Sequence, residues 1–275
     1  MAMKERASVR VPRIIFALLF ALAALFPLIW MLLSGFKMNS DVLATPFNFF
    51  PTSWHIENYI KIIQDPAFSR AMIITFIGAA IFTVFSITIN AMAAYVFARL
   101  DFAFKRFMWV IVIGTMFIPN MAILLTSFIV VTKLHMLDTM LVLIVPGLAS
   151  AAQMFFIRQF YLNIPIALEE AALLDGAGRW QIFTRIFLPM SQPAFVVVGV
   201  TSFMAYWNAY VWPIMTITSP GLFQIQQYLA NFRVTRGPEL ALLMAGSMLA
   251  ALPVILLVLI FQRKIIGNIK IAGLK

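Results

Sequence analysis

Six stretches of this sequence carry no Asp, Glu, Lys, Arg or His through their central part: about 14–33, 71–98, 108–131, 139–157, 194–214 and 240–261. A helix needs roughly 20 apolar residues to cross a hydrocarbon layer, and each charge at its centre costs about 2.5–3.5 kcal/mol. In lipid the backbone must satisfy its own hydrogen bonds, and a helix does so within one segment. The chain therefore reads as all-α and integral to a membrane, with six transmembrane helices. Composition agrees, with 63% hydrophobic and 11% charged residues, unlike a soluble domain. The six spans and their connections use up the 275 residues, so the whole chain reads as one transmembrane domain. Ala21-Leu22-Ala23 has the form of a signal-peptidase site, but the apolar run continues to Trp30, so the first span is read as retained.

Charge then orients the bundle. The net charge of +10 would suggest nucleic acid in a soluble protein, but here it is read by location, and no nucleic-acid partner is expected. Fourteen Lys and Arg residues fall in the amino terminus, the loop after the second span, the segment after Arg158 and the carboxyl-terminal tail; six fall on the other side, Lys37, Lys61, Arg70, Lys133, Arg233 and Arg236. Acids divide evenly, five to a side. The basic side is the cytoplasmic one, so both termini are placed in the cytoplasm. Gly35–Ser69 and Met215–Glu239 are the larger outer connections.

Between the fourth and fifth spans lies a stretch too elaborate for a linker, 163–193, with EEAALLDGAGRWQIFTRIFLPMSQP from Glu169. Asn163 and Pro165 read as a helix start, with proline near the first turn. Ala167 to Leu174 reads as a short amphipathic helix, with Ala and Leu on one side and the Glu169–Glu170 pair on the other. Asp175-Gly176 breaks it, glycine supplying the left-handed conformation. A second helical run from Arg179 to Phe187 stops at Pro189. Two short helices around a glycine corner make a rigid knob suited to docking. The bland alternative is a helix lying at the membrane interface, which would favour Lys and Arg over a Glu pair.

Glu170, Ala171, Ala172, Gly176, Ile186, Leu188 and Pro189 match, position for position, the EAA loop of the permease subunits of bacterial ATP-binding-cassette (ABC) importers. Asp175, Ala177, Phe183 and Pro193 fit the fuller pattern. The resemblance implies that the first short helix is a coupling helix seated in a cleft of a cytoplasmic ATPase dimer, with Glu169, Glu170, Ala171, Ala172, Asp175, Gly176, Ala177, Ile186, Leu188 and Pro189 forming the coupling site. It also implies an ABC importer type I permease fold with the coupling helix on the cytoplasmic side. This chain has no Gly-x-x-x-x-Gly-Lys-Ser/Thr run to cradle ATP. It is therefore expected to bind no cofactor, ATP and Mg belonging to the partner, and to be a transport subunit rather than an enzyme.

Nearly the whole length resembles the carbohydrate-type permeases, specifically the six-span member of the pair. Pro51-Thr52-Ser53-Trp54 with Glu57-Asn58-Tyr59, Ala93-Ala94-Tyr95 with Ala98-Arg99-Leu100, and Trp207-Asn208 with Trp212-Pro213 carry the likeness. Gln262-Arg263-Lys264 and Gly273-Leu274-Lys275 resemble the family's tail, but Asn268 and the lack of a glycine after Lys275 depart from it. The implied partners are a second permease in a heterodimer, the ATPase, an extracytoplasmic solute-binding protein landing on the outer segments, a sugar-type solute and membrane lipid. The implied location is the inner membrane of a bacterium.

The solute path is open to two readings. Tyr206, Trp207 and Asn208 offer aromatic faces and an amide to a sugar ring, or belong to an interfacial aromatic belt. Asn90, Asn120 and Gln153 are membrane-region amides that contact solute or bond neighbouring helices. Pro119, Pro146 and Pro253 interrupt backbone ladders and are hinge candidates. A secondary carrier or channel is the competing class, and the absence of an intramembrane carboxylate argues against a proton- or sodium-driven carrier. A permease for a non-carbohydrate solute is the nearer alternative. A membrane-embedded metalloenzyme is disfavoured because His55 and His135 stand singly, without ligand spacing.

Overall fold

The computed structural model describes residues 7–235 and 239–272, with side chains at 11–232 and 239–264. Among these the regular structure is helical: α1 (Ala7–Ser34), α2 (Asn39–Val42), α3 (Glu57–Gln64), α4 (Pro66–Arg99), α5 (Lys105–Thr115), α6 (Asn120–Lys133), α7 (Met140–Ile144), α8 (Ala151–Leu162), α9 (Ile166–Leu174), α10 (Arg179–Ile182), α11 (Leu188–Met190), α12 (Gln192–Trp207), α13 (Val211–Thr216), α14 (Ile225–Thr235) and α15 (Leu240–Ala272). The chain divides into two units, Met1–Ser69 with Tyr228–Leu252, and Arg70–Gln227 with Pro253–Lys275.

In the first unit the outer segment is ordered by side chains bonding backbone. Asn58 Nδ2 donates to the carbonyls of Gly35 (3.0 Å) and Lys37 (2.9 Å), and Tyr59 Oη to Leu32 O (2.8 Å). A Cβ on Gly35 would lie 2.5 Å from Tyr59 Oη, so glycine is required for the ring to pack there. Lys37 is buried, donates to Asn48 O and lies 4.1 Å from the Trp30 ring. The connection read at Gly35–Ser69 is thus a folded element. Its neighbour Asp65 accepts from Ala67 N (2.8 Å), capping α4 and starting it earlier than the apolar pattern indicates.

In the second unit two expected spans are bent and a third is cut short. The stretch read as one span over 108–131 is two helices, α5 and α6, at 102°. The break falls at Met116–Pro119, because the residue before a proline is pushed out of the α region. The span read at 139–157 is α7, a 3-10 turn at Val145–Gly147 and α8, bent by 47° and continuing to Leu162. The span read at 194–214 ends at Trp207, and Val211–Thr216 forms a separate helix. Among the described residues three helices are long and apolar enough to cross a membrane, and up to six spans result when each bent pair counts as one, the third pair being Arg179–Met190 with α12 at 77°. The other outer connection of the sequence reading, 215–239, contains α14, and α15 runs on into the basic tail.

The break before α8 exposes backbone groups inside apolar surroundings, and α4 satisfies them. Asn90 Nδ2 donates to Leu148 O (2.8 Å), Ser86 Oγ donates to the same carbonyl (3.1 Å), and Ser150 N donates to Asn90 Oδ1 (2.9 Å). Gln153 extends the network, its Oε1 accepting from Ser86 Oγ (2.9 Å) and its Nε2 donating to Ser202 Oγ on α12 (2.9 Å). On one side of this network the apolar core joins Ala91, Ala94 and Tyr95 of α4 to Ile157 and Tyr161 of α8, Val198 of α12, and Ile182, Phe183 and Phe187. The stretch between α8 and α12 is built on that core.

Candidate functional site

The 163–193 segment is a knob bolted to this core. Asn163 closes α8 rather than opening the next helix, and Pro165 stands at the N-cap of α9. Gly176 has φ +80°, and Ala177 N reaches back to Ala172 O (2.9 Å), which is the glycine-terminated helix end that the sequence indicates. Gly178 N donates to Gln181 Oε1 (2.9 Å), starting α10. The following run does not stop at Pro189. A π-helical turn at Phe183–Phe187 widens the helix where the proline ring would press on the Arg185 carbonyl, and helical structure continues to Met190.

The orientation of α9 differs from the simple amphipathic reading. Glu169 is 5% exposed and points inward, whereas Glu170 is exposed. Leu174 is 89% exposed, with Leu173 and Leu168 also open. The leucines expected to lie on the side away from the Glu pair therefore face outward with Glu170 and Asp175, while Ala172 packs on the core. The cause is a cation that the local pattern does not contain. Glu169 Oε2 lies 3.8 Å from Arg99 Nε at the end of α4, and its Oε1 accepts from Arg179 Nη1. Arg99 Nη2 also donates to Tyr161 O (2.6 Å) and to Ile164 O. The Tyr95 hydroxyl lies 3.5 Å from Arg179 O.

Of the residues expected at the coupling site, Glu170, Ala171, Asp175, Gly176 and Pro189 are exposed. Ala172, Ala177, Ile186 and Leu188 pack half-buried on the core cluster. Arg99 and Arg179 belong with them; their sequence signal was a cation in the last turn of a long apolar helix and another in the first turn after the glycine corner.

The solute-path residues separate. Asn90 and Gln153 meet in the interhelical network, 3.2 Å apart. Asn120 is exposed at the first position of α6, and Asn208 is exposed just past α12. Tyr206 and Trp207 are buried, Trp207 stacking on Phe203 at 5.6 Å and Tyr206 packing on Phe82 at 5.5 Å. Both aromatic rings thus turn into the protein rather than outward as a belt would.

On the opposite end of the second unit, Asp138 sits at φ +57° and staples two loops. Its carboxylate accepts from Thr218 N (3.0 Å), Ser219 N (2.9 Å) and the Ser219 hydroxyl, while its own N–H donates to Thr216 O (2.8 Å). The hydrogen bonds from Ser219 hold this carboxyl below the usual aspartate range. The tail residues Gly273-Leu274-Lys275 lie outside the described residues.

A membrane-embedded helical bundle carrying this knob has the architecture of an importer permease, and sequence comparison agrees. The chain belongs to the binding-protein-dependent transport system inner membrane component family, whose sequence profile matches residues 86–266. It is a permease of the ABC transporter type. Relatives include a probable ABC transporter permease protein, YurM, of Bacillus subtilis, 31% identical with 95% of this chain and 87% of that protein aligned. The diacetylchitobiose uptake system permease protein NgcG of Streptomyces coelicolor is 27% identical, covering 92% and 84%. The fold is that of a chain in the crystal structure of a bacterial ABC transporter involved in import of the acidic polysaccharide alginate, with a TM-score of 0.80, 22% identity and coverage of 95% and 99%.

Proposed function

We propose that this chain is one of two permease subunits of an importer that carries a sugar or oligosaccharide inward across the cytoplasmic membrane of a bacterium. A cytoplasmic ATPase dimer, holding ATP and Mg, docks on the knob at 163–193, and both termini lie on that side. A solute-binding protein lands on the opposite face, at the outer segments and the loop stapled by Asp138. The observation that carries this reading is the knob itself: Glu170, Leu174 and Asp175 stand exposed at a glycine corner, while everything behind them is locked to α4 and α8. The carbohydrate class rests on the diacetylchitobiose permease and on the residues Trp207-Asn208 and Pro51 to Tyr59.

The test is purification of the tagged chain from its native membrane in mild detergent, with identification of co-purifying proteins. A second permease and an ATPase are expected with the wild type, and Glu170→Lys is expected to lose the ATPase and abolish uptake while the helices stay folded. Wild-type uptake by Glu170→Lys would overturn the docking assignment. A chain that arrives alone and moves solute in liposomes without ATP would overturn the importer reading. The ligand class of the solute-binding protein encoded alongside decides the solute.

A further inference from the structure

We propose that Arg99 is a positioning residue that makes the coupling helix α9 move as one body with the inner ends of α4 and α8, and that Glu169 serves this clamp rather than the ATPase. The inference rests on the docking of an ATPase at α9.

One guanidinium reaches four segments. Arg99 is the last residue of α4. Its Nη2 donates to Tyr161 O in the last turn of α8 (2.6 Å) and to Ile164 O in the turn that leads to α9. Its Nε lies 3.8 Å from Glu169 Oε2 in α9. Its Cζ lies 5.0 Å from the centre of the Phe187 ring in the π turn. Glu169 passes the link on through Arg179 at the start of α10. The Arg99 and Glu169 side chains are 9% and 7% exposed, whereas Arg179 is half open.

Packing alone does not call for these charges. Tyr161, Ile164 and Phe187 already form an apolar core here, and apolar side chains of similar volume commonly replace buried ion pairs with no loss of stability. Direction is what they add. Hydrophobic contact is non-directional and lets surfaces slide, whereas the guanidinium's hydrogen bonds to Tyr161 O and Ile164 O fix angle and distance together, and its charge contact at 3.8 Å draws Glu169 to them. A helix that is pushed and pulled through the nucleotide cycle needs a link that holds in both senses. The sequence of α9, IALEEAALL, offers only Glu169 and Glu170 for such a bond, and Glu170 faces out. Glu169 is therefore the one side chain of α9 able to tie it inward by a charge.

The chain has no cysteine, so two engineered cysteines report cleanly. Spin labels at Ala167→Cys on α9 and Val96→Cys on α4, both exposed positions, are measured in the assembled complex with and without nucleotide, alongside solute moved per ATP hydrolysed. The clamp predicts one narrow distance in both nucleotide states. Arg99→Ala is expected to broaden it and to lower the transport-to-hydrolysis ratio about tenfold, with the ATPase still bound. Arg99→Lys, which keeps the charge and loses the fork, is expected to fall between. A narrow distance and an unchanged ratio in Arg99→Ala overturn the proposal. So does loss of the ATPase from the Arg99→Lys complex, which would make Arg99 a folding or docking residue. If no ATPase accompanies even the wild type, the docking reading itself has failed.

Discussion

Asn90→Leu separates a structural amide from a solute-contacting one. Asn90 is fully buried, and its side chain donates to Leu148 O and accepts from Ser150 N, on either side of the break between the two halves of a bent span. Leucine keeps the branched shape of the amide but is larger, so overpacking at this buried site adds to the polar loss. Leu148 O keeps the Ser86 hydroxyl, but Ser150 N–H loses its bond to Asn90, and a buried donor left without a partner costs about 1–3 kcal/mol. Interhelical hydrogen bonds in membranes contribute about 0.6 kcal/mol on average and up to about 1.7. Together these polar losses come to about 2 kcal/mol. Asn120→Leu is the control, since Asn120 is exposed at the start of α6 and its substitution should stay within about 0.5 kcal/mol. Unfolding of the detergent-purified transporter in increasing SDS measures both. Asn90→Leu should lower stability without changing the solute concentration at half-maximal uptake of the fraction that assembles. Equal stability of the two variants, or intact stability with weakened solute affinity, would refute the reasoning and return Asn90 to the solute path.

The remaining predictions concern the two faces of the second unit. Gly176 has a positive φ and nothing within 4 Å of an added Cβ in this chain, so a side chain placed there meets no other part of the chain. Gly176→Asn, which tolerates the left-handed conformation, should leave the fold stable and reduce ATPase co-purification; unchanged co-purification would show that no backbone approaches that corner. Asp138 has its carboxyl held below the ordinary range by the Ser219 bonds. Its contribution is therefore complete above the ordinary carboxylate value of about 3.9 and is lost as pH falls through the depressed value. The protection factors of the Thr218 and Ser219 amides, taken relative to the intrinsic exchange rate at each pH, should be flat from about pH 5 to 8 on this account, and Asp138→Asn should lower them at neutral pH. A step in protection near neutrality would assign the staple to another group.

Much of this architecture could be read along the chain. The uncharged apolar runs require helices because lipid offers the backbone no other partner. The glycine corner at Gly176 is local chemistry, and so is the seven-position match of the knob. What could not be read is what distant residues impose. Glu169 and Glu170 are neighbours with the same side chain, and a helical pattern puts them on one polar face. Arg99, seventy positions earlier, draws one of them inward, and the leucines of α9 face outward with the other. The bends are similar: a proline marks where the span over 108–131 can break, but the break before α8 is tolerated because Asn90 and Ser86 of α4 reach its free carbonyl. Sequence alone determined the main apolar helical runs and the glycine corner of the knob, because burial in lipid and turn geometry act within a few residues. Tertiary structure alone decided which carboxylate faces outward and where backbone bonds could be surrendered, because a buried charge or an open carbonyl is stable only beside a partner that the fold brings to it.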